Sequence, residues 1–191
     1  MKNLSNFFYR LSSGWVAIAA LLVFVVFSAL TLPGQNRIAE TYSQGSGSPD
    51  TSLFYSGGEL FAMAKWYGSA GRAAYIHARW TFDLAFPIVY TCFLVTALSW
   101  LLSRVFHESS KWRLLNIVPL AAMLLDLLEN SMTTAVMAGF PERVRFAEIL
   151  ASLFTPLKWV AVGGSFLLLM VGWFWLILNS HRQQKSTRKG A

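Results

Sequence analysis

Four apolar runs separated by polar segments dominate the chain: residues 15–32, 84–102, 114–137, and a long stretch from Phe146 to Leu178. A helix needs about 20 predominantly apolar residues to cross the hydrocarbon core. The first run is just long enough, and the last supplies a span over 157–178, with Pro156 marking a kink or a new helix start. The pattern predicts an all-α bundle of four transmembrane helices. Pro33-Gly34 marks the end of the first span, since neither residue continues a helix well. Residues 33–80 form the loop between the first two spans; Gln35 to Ser56 are polar, and Gln44 to Pro49 reads as a flexible linker. Ser56-Gly57-Gly58-Glu59 has capping-box spacing, and Leu60, Met63, Ala64 and Tyr67 recur at helical intervals. They predict an amphipathic helix over 57–67 that caps the bundle, with Gly68 and Gly71 breaking it. From Arg72 one long helix runs into the second span, while the basic tail 181–191 is expected to be disordered.

The third run is interrupted by Asp126, Glu129, Asn130 and Thr133, which share one helix face. A central Asp in a membrane helix costs roughly 2.5–3.5 kcal/mol on insertion scales, so this stripe must face protein or trapped water. The long helix that runs into the second span carries Arg72, Arg79, Asp83, Pro87 and Tyr90 on one face. Arg79 and Asp83 have ion-pair spacing, and Pro87 frees a backbone carbonyl and bends the helix near Asp83. In the fourth run Ser152, Thr155 and Lys158 share a face, and Ala161 to Ser165 form a small-residue surface suited to close helix packing.

Composition agrees with the membrane reading. Only 13% of residues are charged and 55% are hydrophobic, against about 25% charged in soluble domains; mean hydropathy is +0.47. The net charge of +7 therefore reads as membrane orientation rather than nucleic-acid binding. The N-terminal segment, second loop and tail hold nine of the sixteen Lys and Arg residues in a much shorter length than the first and third loops, which hold six. Both termini are thus expected in the cytoplasm, with 33–80 outside. That orientation puts Asp83, Glu129, Asn130 and Lys158 in the outer half of the membrane at comparable depth. The lone Cys92 excludes an internal disulfide, and His77, His107 and His181 lack metal-ligand spacing. No metal or cofactor is expected, and no nucleophile elbow, phosphate loop or dinucleotide fingerprint occurs.

The expected polar site comprises Arg79, Asp83, Tyr90, Asp126, Glu129, Asn130, Thr155 and Lys158. Such a cluster is compatible with a packing lock, a binding pocket, or an acid/base pair built on Asp126 or Glu129. The words D-x-x-x-P-x-x-Y (Asp83, Pro87, Tyr90), D-x-x-E-N (Asp126, Glu129, Asn130) and T-x-x-K (Thr155, Lys158) resemble those of small bacterial four-span integral membrane proteins. The resemblance, from about Ser56 to Leu178, implies the fold and these positions but no activity. The expectation is a multi-pass inner-membrane protein with a binding, assembly or accessory role, meeting the bilayer and a lipid ligand or membrane protein partner. The alternatives are an intramembrane enzyme acting on a lipid or isoprenoid, and an ion- or proton-coupled carrier.

Overall fold

The computed structural model describes the backbone of residues 1–43 and 47–189, with side chains up to residue 178. The described residues form helices α1 (Lys2–Leu11), α2 (Gly14–Ser43), α3 (Gly57–Trp66), α4 (Gly68–Arg79), α5 (Phe82–Val105), α6 (Val118–Gly139) and α7 (Arg145–Lys189). Short 3₁₀ segments cover Pro49–Thr51 and Lys111–Ile117. Four stretches are long and apolar enough to cross a membrane: Gly14–Ser43, Gly68–Val105, Lys111–Gly139 and Arg145–Leu178. The protein is an all-helical, multi-pass membrane protein. Trp15, Leu30, Phe146, Val160 and Phe174 stand exposed on its outside, where lipid would cover them.

The most extensive helix pairing is α6 with α7, and α5 packs on both. At one end, α3 and α4 close the bundle over a core of Tyr55, Leu60, Ala64, Tyr67, Tyr75, Val136 and Met137. Here the capping box forms: Ser56 Oγ accepts from Glu59 N–H, and the Glu59 carboxylate accepts from Ser56 N–H at 2.7 Å. Donation to it from the Ser56 N–H and from the Ser56 hydroxyl holds the exposed Glu59 carboxyl below its usual pKa. The other half is filled by Phe93, Leu94, Leu98, Leu101, Leu102, Ala122 and Leu169. There α1 is docked by a buried polar clamp, with Ser5 Oγ donating to Asn116 Oδ1 at 2.7 Å and Asn116 Nδ2 donating to Ser99 Oγ at 2.9 Å.

The structure differs from the sequence reading at several helix ends. α2 runs through Pro33-Gly34 to Ser43, ten residues beyond the proline. A proline inside a spanning helix is tolerable where a neighbour or a local bond relieves the ladder. The extension is held by packing: a Cβ on Gly71 would lie 3.0 Å from Tyr42 Cβ, so α2 approaches α4 where a side chain is missing. Gly71 is therefore a contact point inside α4, and the break between α3 and α4 falls at Tyr67-Gly68, where Gly68 takes φ 62°. The helix expected from Arg72 breaks at Trp80-Thr81, where Thr81 Oγ1 donates to the His77 carbonyl at 2.7 Å. The third run begins as 3₁₀ through Ile117, with α6 starting beside Pro119. α7 passes through Pro156 unbroken, and its backbone stays helical to Lys189, into the tail expected to be disordered. Residues 44–46 of the expected linker and 190–191 of the tail lie outside the described residues. Of the small-residue surface, Ser165 is fully buried and Ala161 packs on the core, whereas a Cβ built on Gly163 or Gly164 would meet nothing within 4 Å; one on Gly172 would meet Leu101 at 2.6 Å.

Candidate functional site

Asp126, Glu129, Asn130 and Thr133 are all buried on the face of α6 turned toward α5 and α7. Asp126, Glu129 and Asn130 each meet a partner from another helix or loop, while Thr133 donates back to the Glu129 carbonyl at 3.0 Å. Lys158, 6% exposed on α7, pairs with Glu129 Oε2 and with Asp126 Oδ1, the latter at 3.3 Å. Tyr90 on α5 donates to Asp126 Oδ2 at 3.2 Å. The hydroxyls of Thr155 and Tyr55 lie 2.6 and 3.2 Å from Glu129 Oε1, and 2.8 Å from each other. Carboxylate oxygens only accept, so these hydroxyls are the donors. Burial, reinforced by the Glu129 charge, raises the Tyr55 pKa, so Tyr55 remains a phenol and keeps its proton to donate.

A second cluster stands closer to the α3–α4 end. Arg79 bridges Asp50 from the loop and Asp83 one turn along its own chain. Tyr75 donates to Asp50 Oδ1 at 3.2 Å, and Ser48 donates to Asp50 Oδ2 at 3.0 Å. The Arg79 guanidinium lies over the Tyr75 ring, 4.6 Å from its centroid. The two clusters have one plan: a buried cation held between two carboxylates. Pairing of that kind is what a charge withdrawn from water requires.

Asn130 links the helices by a different device. Pro87 has no N–H, so the Asp83 carbonyl loses its intrahelical donor. Asn130 Nδ2 supplies one from α6, at 3.1 Å. Asn130→Ala should therefore destabilise the protein by about 1–3 kcal/mol, the cost of a buried unsatisfied carbonyl. In a Pro87→Ala background the helix can bond that carbonyl itself, and the same substitution should cost clearly less. Denaturation of the four variants in detergent checks this; equal costs in both backgrounds would refute the proline–asparagine pairing.

All eight expected site residues thus fall into two neighbouring clusters. Arg72, placed on the same face in the sequence, lies elsewhere: its guanidinium donates to the Ala64 carbonyl at 3.0 Å and covers the Phe140 ring. Sequence reasoning missed Asp50, Tyr55, Tyr75 and Ser48. Ser48, Asp50 and Tyr55 belong to the segment between α2 and α3, which folds back into the bundle. Trp159 of α7 pins that segment by donating to the Ser52 carbonyl at 3.1 Å.

A cavity of about 540 Å³ opens beside the clusters. Its charged lining is Asp50, Arg79, Asp83, Asp126 and Lys158, and Tyr90 reaches it as well. The remaining walls are largely apolar: Phe24, Leu32, Ile38 and Ala39 from α2, Phe82 and Phe86 from α5, and Trp159, Val162 and Phe166 from α7. α2 packs on α5 and α4 but makes no extensive contact with α7, so the cavity lies between two helices that hardly touch. Glu129 does not line it; this carboxylate supports Lys158 from behind. Among the described residues, no three His, Cys, Asp or Glu side chains converge as metal ligands, because the carboxylates gather around cations rather than around one another. No protein-family model matches the chain, and comparison with curated proteins and with solved structures finds no match.

Proposed function

We propose that this is a lipid-binding protein of the bacterial inner membrane that holds a membrane amphiphile in the cavity between α2, α5 and α7. Both termini face the cytoplasm, and the α3–α4 cap faces outward. The carrying observation is the join between two kinds of wall in one space: charged groups at Asp83, Asp126, Lys158 and Arg79 meet apolar surface at Phe24, Phe86, Val162 and Phe166. A soluble polar ligand has no use for the second wall, and a hydrocarbon none for the first. Lys158 stands some thirteen residues, about 20 Å along the helix, from the start of α7 at Arg145. The polar end is therefore deep, at a level reached from the bilayer through the side of the bundle.

Binding is favoured over catalysis because Glu129, one of the two candidate acid/base groups, is 1% exposed, fully engaged and absent from the cavity. Asp126 reaches the cavity but is tied to Lys158 and Tyr90. A carrier is disfavoured by the other half of the bundle, where Leu94, Leu98 and Leu101 are completely buried and interpose an apolar plug.

Filling the cavity tests the reading. Native mass spectrometry of the protein released from detergent should show a lipid-sized adduct at one per chain. Val162→Trp should remove most of that adduct while leaving the helical circular dichroism unchanged. Retention of the adduct by this variant and by Ala39→Trp, on the opposite wall, would place the lipid elsewhere.

A further inference from the structure

Resting on the lipid-binding reading, the chemistry of the lining goes further and names the head group. We infer that the cavity takes an amphiphile with a cationic head, a quaternary ammonium or protonated amine.

Two independent features lead there. The first is charge. Two cations, Arg79 and Lys158, stand against four carboxylates, Asp50, Asp83, Asp126 and Glu129, a formal surplus of two negative charges. Each cation already lies between two of those carboxylates, so its charge is compensated before any ligand arrives. Adding an anion to a low-dielectric space with that surplus raises its energy, and adding a cation lowers it.

The second feature is aromatic. Phe82, Phe86 and Tyr90 follow one another at one-turn intervals on α5 and all face the cavity. Phe82 and Phe86 stack at 5.3 Å between centroids, and Phe86 meets Tyr90 edge-on at 5.8 Å. Trp159 lines the same cavity from α7, with the Lys158 ammonium 5.5 Å from its ring centroid, and Tyr42 and Tyr67 line it as well. Aromatic walls around a cation-sized space recognise alkylammonium groups through the ring quadrupole. Asp83 lies within the aromatic ladder and Asp126 stands beside its last ring, at Tyr90. An ammonium against Phe86 and Trp159 would therefore meet both rings and carboxylate. Its hydrocarbon chain would follow Phe24, Val162 and Phe166 toward the gap between α2 and α7.

Isothermal titration of the full-length protein in a nonionic detergent tests this with four probes that share one tail: decyltrimethylammonium, decylphosphocholine, decylglycerol and decyl phosphate. Decyltrimethylammonium should bind at least about tenfold more tightly than decyl phosphate. Asp83→Asn and Asp126→Asn should each weaken the ammonium probe by about tenfold more than they weaken decylglycerol. Phe86→Leu, which touches no buried charge, should weaken the ammonium probe several-fold relative to decylglycerol, and so serves if an Asp variant does not fold. Decylphosphocholine binding as well as the simple ammonium supports the inference with a zwitterionic phospholipid as the source of the head group. If decylphosphocholine binds poorly, the inference is supported with a free lipophilic amine as the source. Decyl phosphate binding as tightly as the ammonium, or all four probes binding alike, overturns the cationic head group and leaves the lipid pocket standing. No binding by any probe overturns the pocket reading itself.

Discussion

Lys158→Met is expected to be among the most damaging single substitutions in the protein, costing about 3–5 kcal/mol of stability. Lys158 is the only cation placed against Asp126 and Glu129 among the described residues, and these carboxylates are 9% and 1% exposed. Without it two acids remain buried together, and at least one must take up a proton or draw water into the bundle. The triple variant Lys158→Met, Asp126→Asn, Glu129→Gln should recover most of that loss, because the charges then leave as a set. Thermal unfolding in detergent, followed by circular dichroism, compares the two. If the single and triple variants melt together below the wild type, Lys158 is not compensating those carboxylates.

The second large effect is expected at Arg79. It is 6% exposed and joins Asp50 to Asp83. Arg79→Met should cost about 3 kcal/mol, the lower end of the range for a broken buried pair, since the Asp50 side chain keeps 26% exposure and can rehydrate. The consequence reaches beyond stability. Asp50 is the anchor of the loop behind α2, and Ser48, 4% exposed, is packed there beside it. In the Arg79→Met background a cysteine at position 48 should label rapidly with an impermeant maleimide, whereas the same cysteine in the parent should label slowly. Equal labelling in both would mean that Trp159 and Tyr75 hold the loop without Arg79.

What the sequence reveals follows from the range of the forces involved. The four spans are legible because hydrocarbon demands long apolar runs, and the α6 stripe because buried charges violate that demand. The capping box at Ser56 and Glu59 is legible because its partners lie three residues apart. Pro87 points toward an orphan carbonyl, but the donor, Asn130, lies 47 residues away on another helix. Asp50 and Tyr55 were not legible for the same reason. They lie in a Gly/Ser-rich stretch with ordinary loop composition, and only folding back brings them to Arg79, Glu129 and Thr155. The extension of α2 past Pro33 was missed because its support, the close approach of Tyr42 to Gly71, is a contact between distant segments. The wall that this extension adds to the cavity was hidden with it.

The most direct test is an experimental structure determined by electron microscopy in native-lipid nanodiscs. The account predicts α2 standing off from α7, with elongated density entering between Phe24 and Val162 and ending beside Asp83, Asp126 and Trp159. A map in which α2 closes against α7, with the Phe24 ring packed on Val162 and Phe166 and no density beside Asp126, would contradict it.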